Sequence, residues 1–540
     1  MPKIAYAQMK VEAGHPDVNT KKILQFIEEA KAGGAEMVIF PELAVSGTFL
    51  GKTWDDESFR NDCLAYGEEI IAASNNIVVA FGNMDEEEDN IYYLVRDGED
   101  IDDENISGIG TVGFTFEDED WYEPADFCVK FSSKTFVFDK SIHYDKISSS
   151  KCPLIRVGCV GIQNTGKAIY VFDGASAVFN TNGEVVQYAE RFAESLNFIN
   201  TDEIDKMPVL EVPEINETEN IYRAISYGVK CFLEQIGMKK VVIGVSGGID
   251  SAVAAALYTK VVGAENVILV NMPSVYNSDT TKNLSEQLAK NLGCKYYVVP
   301  IQESVNRTVK QLNDCGIEVS DFVKENIQAR DRSSRILAAI AASVGGVFTC
   351  NANKAETTVG YATLYGDEAG FLSALADLWK YQVYDLARYM NEKIYKFEAI
   401  PQGIIDIVPS AELSTAQNVN EGKGDPLRYP YHDYLFKAFS EYSLTPEEIL
   451  ELYVKDELEE EIGCKRGLVE EYFPTAQAFI DDLERWWKQF TGMGVAKRIQ
   501  SPPLLTVSWC PYGDTDNQEY QNGWHFTKKY LQLKKRLLTR

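Results

Sequence analysis

The chain has 540 residues, 45% of them hydrophobic and 25% charged. It is too long for a single hydrophobic core, so two or more domains are expected, and its ordinary apolar content excludes a disordered or fibrous chain. Its 52 Lys and Arg against 82 Asp and Glu leave a net charge of −30, a surface that repels nucleic-acid backbones and anionic membranes. Residues 85–104 concentrate this excess, with eleven acids against the single cation Arg96.

The ten cysteines stand singly without a C-x-x-C pair, and four histidines form no zinc-ligand cluster. No apolar run reaches the ~18 residues of a membrane span, and MPKIAYAQMK carries no signal-peptide core. Reduced thiols and a cytoplasmic location are the expectation.

The first segment alternates short apolar runs (Ile4–Gln8, Met37–Phe40, Ile77–Phe81) with a helical pattern over Lys21–Ala32. Later, AIYVFDGASAVFNTNGEVVQY predicts a strand pair turning at Asn182-Gly183. Residues 1–205 therefore read as an α/β sandwich. The polar, proline-marked residues 206–220 read as a linker. A second α/β pattern opens at Ile221. Strand-like runs at Val241–Val245, Val267–Val270, Tyr296–Val299 and Gly346–Thr349 alternate with helical stretches at Thr281–Leu292 and Ser333–Ala342. That is the pattern of a doubly wound parallel sheet over 221–515. Lys528–Arg540, within a basic tail at 516–540, reads as a terminal helix packed by Tyr530, Leu531, Leu533 and Leu537.

VVIGVSGGIDSAVAAALY holds the strongest chemical signal. An apolar strand ends at Val245, two glycines allow a tight turn, and the following helix offers free N–H groups to phosphate oxygens. Gly244, Val245, Ser246, Gly247, Gly248, Ile249, Asp250 and Ser251 are the candidate nucleotide contacts. The pattern S-G-G-x-D-S is neither a Walker loop nor a dinucleotide fingerprint. It resembles the pyrophosphate loop of the ATP pyrophosphatases (adenine nucleotide alpha hydrolase-like), which split ATP into AMP and pyrophosphate.

Six further motifs follow in order: NMPSVYNSDT, ENIQARDR, NANKAETTVGYATLYGD, DLWKYQVYDLARY, VPSAELSTAQ and AKRIQSPP. Together they resemble the synthetase domain of NAD⁺ synthetases of the large two-domain form. The resemblance implies ATP-dependent amidation of deamido-NAD through an acyl-adenylate, with Mg²⁺ held by Asp250 and Glu356. It further implies Lys380 as a catalytic cation, Asn351 and Ser410 beside ATP, and Asn326, Arg330, Glu356, Asp367 and Lys497 toward the dinucleotide. Asn351 departs from the Thr or Ser usual there.

In the first half, VIFPELAVSGTF and VFDGASAVFNTNGEVV resemble nitrilase-superfamily amidases, so this part is expected to be a nitrilase-like α-β-β-α sandwich. Such an amidase needs a Glu base, a Lys and a Cys nucleophile. Glu42 is in place. VGFTFEDEDW puts Glu117 where the Cys belongs, and the segment that would carry the Lys is absent. These losses predict an inactive, shortened amidase unit and free ammonia as nitrogen donor, supplied by a separate source, in a homo-oligomer. Two alternatives stay open: a displaced triad built from Cys128 or Cys152 with Lys130 or Lys146, and a tRNA-modifying ATP pyrophosphatase. The acidic charge opposes the second.

Overall fold

The computed structural model describes residues 2–85, 90–117, 125–138, 152–211, 216–417, 419–513 and 526–539. The chain forms two compact units, Met1–Thr165 with Ile169–Cys231, and Phe232–Arg540 with Gly166–Ala168. The division falls inside helix Glu217–Gln235 rather than at residue 221.

The first unit contains two six-stranded sheets. Lys3–Gln8, Met37–Ile39 and Val78–Met84 are parallel neighbours at the centre of one. Gly110–Phe116, Phe127–Ser132 and Leu154–Gly158 are parallel neighbours in the other. Alternation of side chains sends Ile4, Tyr6, Ile39 and Val78 from the first sheet into one apolar cluster with Val112, Phe114, Val129 and Ile155 from the second. Ala5, Ala7 and Val38 point the other way, onto Ile23, Ile27 and Ala30 of helix Pro16–Ala32. The hairpin read from Asn182-Gly183 is present between Ala177–Phe179 and Val185–Tyr188, which pair antiparallel. This is a nitrilase-like sandwich.

The second unit is built on a parallel sheet ordered Lys295–Val298, Val267–Asn271, Val241–Gly244, Val347–Phe348. Helix Ile249–Val262 is apolar on all sides, with ten of its residues buried, and runs through the core behind the central strand. The expected helix over 333–342 begins as a stretch of π-helix, Asp331–Leu337, before Ala338–Val344 becomes α-helical. A helical C-terminal subdomain packs around Tyr431, Phe436, Phe479 and Trp486.

The terminal helix spans Lys528–Leu538. Tyr530 is buried, and Leu533 and Leu537 pack on the subdomain, whereas Leu531 is 52% exposed and takes no part. Its cations meet acids of the same unit, Lys529 pairing with Glu447 and Glu451, and Lys534 with Glu484. Two of the cations of the basic stretch are thereby neutralised within the unit.

Lys354, fully buried, anchors this subdomain to the sheet domain. Its ammonium lies 3.0 Å from both Asp377 and Glu441 and donates to Ser508 Oγ and the Cys510 carbonyl at 2.9 Å. Asp377 also accepts the N–H groups of Val507 and Ser508 at 2.7 Å. Burial alone would drive the lysine neutral, but the two carboxylates hold its pKa above the ordinary value. Lys354→Met leaves Asp377 buried without a cation and Glu441 with the Lys437 cation alone at 3.7 Å, so the second unit should lose about 3 kcal/mol of stability, measured as a drop in unfolding temperature.

Candidate active site

The phosphate loop lies where strand Val241–Gly244 gives way to helix Ile249–Val262. Val245 N–H still pairs with the Val270 carbonyl, fixing the strand end. Gly247 has φ +88°, and a Cβ there would stand 2.5 Å from the Thr281 carbonyl oxygen, so no other residue fits the turn. Ser246 Oγ accepts the Gly248 N–H, and Ser251 Oγ accepts the Ser246 N–H. The loop therefore holds its own shape through its two serines.

This loop lines one end of a cavity of about 280 Å³. Of the residues read from sequence, Gly244 to Ser251, Asn351, Glu356, Asp367, Lys380 and Ser410 all line it. Asn351 donates to the Gly244 carbonyl at 3.3 Å, which ties the neighbouring strand's end to the loop. Ser410 donates to the Gln417 carbonyl at 2.7 Å.

Lys380 is the centre of charge. Its ammonium lies 2.5 Å from Asp250 Oδ2 and 3.3 Å from Glu356 Oε1, and 4.7 Å from the centre of the Tyr429 ring. Burial opposes its charge, yet the two carboxylates raise its pKa. Burial pushes Glu356 up to about 7, against the pull of Lys380, and the charges of Asp250 and Asp425 push the same way. The Tyr429 hydroxyl donates to Glu356 Oε1 at 2.9 Å. Three carboxylates thus share one lysine, an environment short of positive charge.

Sequence reasoning missed several partners. Asn353 caps helix Lys354–Val359 by accepting the Glu356 N–H, and its amide donates to Asp250 Oδ1 at 3.0 Å. An Asn three residues before the Glu is the N-cap signal that could have revealed it. Arg332 lines the cavity and donates to the Met272 carbonyl at 3.0 Å and to Asn277 at 3.2 Å. Burial lowers it to about 10. Arg330 is exposed and donates to the Leu364 carbonyl, outside the lining. Asn326 donates to the Phe322 carbonyl of its own helix, and Lys497 to the carbonyls of Gly360 and Ala362. Neither lines the cavity.

A second constellation lies in the first unit. Glu42 accepts from Asn90 Nδ2 at 2.7 Å and from Ser133 Oγ at 2.8 Å. Burial raises its pKa against these two bonds. Parallel register sets Lys130 beside Arg156, with Phe116 opposite Phe131. Glu117, the next residue, then meets Arg156 Nε at 3.0 Å and Lys134 Nζ at 3.5 Å, while Lys130 donates to its carbonyl at 3.3 Å. Burial would raise Glu117, but these cations and Ser132, Arg156 foremost, bring it below the ordinary value. An ion pair occupies the end of the strand. Burial pushes the Cys128 thiol up to about 12 and also raises Cys152 and Cys159. Lys146 lies outside the described residues.

The fold and site define an α/β enzyme of the ATP pyrophosphatase type joined to a nitrilase-like unit. The NAD synthase family profile matches residues 221–466 and the carbon-nitrogen hydrolase profile residues 3–105. The glutamine-dependent NAD(+) synthetase of Thermotoga maritima is 27% identical over 525 residues, covering 83% of this chain and 90% of that one. The Acinetobacter baumannii glutamine-dependent NAD⁺ synthetase, solved with ADP, is 25% identical, with a TM-score of 0.67 over 85% of this chain and 92% of that one. The Cytophaga hutchinsonii enzyme of the same name shares the fold, at 17% identity and a TM-score of 0.78 over 99% of both chains. The chain belongs to the two-domain NAD⁺ synthetases, ligases that form a carbon–nitrogen bond.

Two outcomes follow from the geometry. Gly247→Ala should weaken ATP binding by roughly tenfold or more, read by calorimetry, with an unchanged circular dichroism spectrum. Glu356 sits at about 7 in the fold and 4.5 as an ordinary carboxyl. Its contribution to stability is full below pH 4.5 and lost as pH rises through about 7. Glu356→Gln should therefore flatten the fall in unfolding temperature between about pH 5 and 7.5.

Proposed function

We propose that this NAD⁺ synthetase amidates deamido-NAD with free ammonia, and that its amidase unit has lost glutamine hydrolysis. The observation that carries the reading is the Glu117–Arg156 ion pair standing where an amidase needs a thiolate. A carboxylate cannot form the thioester, and a guanidinium at 3.0 Å leaves it bound as a salt bridge. The displaced-triad alternative draws no support from the thiols, since a nucleophilic cysteine needs a lowered pKa and Cys128 and Cys152 are raised.

In the synthetase unit the phosphate loop binds the ATP phosphates through backbone N–H groups and the serine hydroxyls. The deamido-NAD carboxylate attacks the α-phosphorus, and pyrophosphate leaves. Lys380 and Arg332 stabilise the charge that develops on the phosphates, and Asp250 and Asn353 hold Lys380 and the helix cap in position. Ammonia then displaces AMP from the acyl-adenylate. Among the described residues no group of three or more acidic, histidine or cysteine side chains suits a metal. The pair Asp250 and Glu356 nonetheless suits one Mg²⁺, because their oxygens are hard donors and a cation would offset both the burial that pushes Glu356 up to about 7 and the nearby charges of Asp250 and Asp425. When bound, that ion would neutralise phosphate charge. Asn326, Arg330, Asp367 and Lys497 are proposed to meet the dinucleotide once it is bound. The enzyme is proposed to work as a homo-oligomer fed by a separate ammonia source.

The test is product formation by the purified chain with ATP and deamido-NAD. Ammonium chloride should give AMP, pyrophosphate and NAD⁺ in equal amounts, while glutamine should give less than about a hundredth of that rate. Equal rates with glutamine would overturn the reading. Glu117→Ala should cost the first unit about 3 kcal/mol by stranding Arg156, read as a lower unfolding temperature, with ammonium-dependent turnover retained.

A further inference from the structure

Glu368 immediately follows Asp367, which lines the nucleotide cavity. It is 4% exposed, and neither of its carboxylate oxygens has a hydrogen-bond partner. The other buried carboxylates of this unit each hold at least one partner, including Asp433, whose Oδ2 accepts the Tyr381 N–H while its Oδ1 stays open. Asp377 and Glu441 hold Lys354, Glu356 meets Lys380 and Tyr429, and Glu412 accepts from Thr281 and the Ser278 N–H. A carboxylate buried with two open acceptor oxygens is costly to the fold, and such a cost is borne where function requires it. The charges facing it are mixed: Asp367 and Glu356 disfavour its ionised form, while Lys497 and Lys167 favour it. Lys497 gives its protons to the carbonyls of Gly360 and Ala362, and Lys167 donates to Ser501 at 2.8 Å.

Resting on the reading that free ammonia is the nitrogen donor, we propose that Glu368 receives the incoming ammonium ion beside the cavity and takes one of its protons. Ammonium is the small cation that matches this group, since it carries N–H donors for two open carboxylate oxygens and leaves as a neutral nucleophile. The protons balance. One passes from ammonium to Glu368, and the ammonia lone pair forms the C–N bond to the acyl carbon. The C–O bond to AMP breaks as its electron pair goes to the phosphate, and the second proton lost from nitrogen leaves with AMP. Burial, with Asp367, pushes Glu368 up to about 7 against Lys497 and Lys167, making it a better base toward ammonium than an ordinary carboxylate. Below that pH it is protonated and cannot accept, so the rate at a fixed ammonium concentration should be level above about pH 7 and fall below it, whereas free ammonia declines over the whole range.

The experiment compares ammonium with hydroxylamine, which is largely neutral at pH 7.5 and needs no base to become nucleophilic. Glu368→Gln should lower kcat/KM for ammonium by about thirtyfold, but that for hydroxylamine by less than about threefold. Its KM values for ATP and deamido-NAD should stay close to those of the native chain. In the variant the level region should vanish, the ammonium-dependent rate then following free ammonia at every pH. Glu368→Met should give the same kinetic split and unfold at or above the native temperature, because it removes an unpartnered charge. A parallel loss with both nucleophiles, or no loss with ammonium, would overturn the proposal. Lack of pyrophosphate release by the unaltered chain with either nucleophile would instead overturn the synthetase reaction itself.

Discussion

The synthetase site depends on one lysine held between two carboxylates. Lys380 meets Asp250 from the phosphate-loop helix and Glu356 from a helix more than a hundred residues later. Burial disfavours the ionised form of Glu356, and the charge of Lys380 works against that burial. The lysine also sits over the Tyr429 ring, so the helical subdomain contributes to the same point. Three separate segments of chain are thereby brought to the end of a parallel sheet, where ligands of this architecture bind. The buried Lys354 repeats the device a few residues away, without a ligand to serve. It fixes the helix that carries Glu356, and through Asp377 it fixes the segment around Ser508.

The first unit keeps the amidase scaffold, and the proposed loss of glutamine hydrolysis rests on the side chains it carries. Glu42 remains in its expected place after strand Met37–Ile39, hydrogen-bonded to Asn90 and Ser133. Across the sandwich the nucleophile position carries Glu117, neutralised by Arg156, Lys134 and Lys130. The same register that would align a catalytic thiol with its neighbours now aligns an ion pair. A salt bridge in that position would preserve the packing between strands under the proposed loss of the reaction.

The phosphate loop was legible in the sequence because its requirements are local. Gly247 needs a positive φ and a missing side chain, and Asp250 follows at a fixed distance on the helix. The absence of a thiol at residue 117 was legible for the same reason. The arginine that faces the cavity was not. The motif E-N-I-Q-A-R-D-R offers Arg330 and Arg332, and ordinary helical phasing does not anticipate the π-helical stretch that begins at Asp331. Arg332, within that stretch, lines the cavity, and Arg330, just before it, is exposed. Lys354 was equally hidden, because lysines are usually solvated and its partners lie 23 and 87 residues away in sequence. Arg156 and Glu368 belong with it: long-range packing alone reveals the pairing of the one and the isolation of the other.

The central claim is that nitrogen enters as ammonia and not from glutamine bound to the first unit. The most direct measurement supplies the purified chain with nitrogen-15 ammonium and unlabelled glutamine together, then weighs the NAD⁺ produced. The account predicts that nearly all of the product carries the heavy amide nitrogen, even with glutamine in large excess. Product with mainly light nitrogen, rising with glutamine concentration, would contradict it.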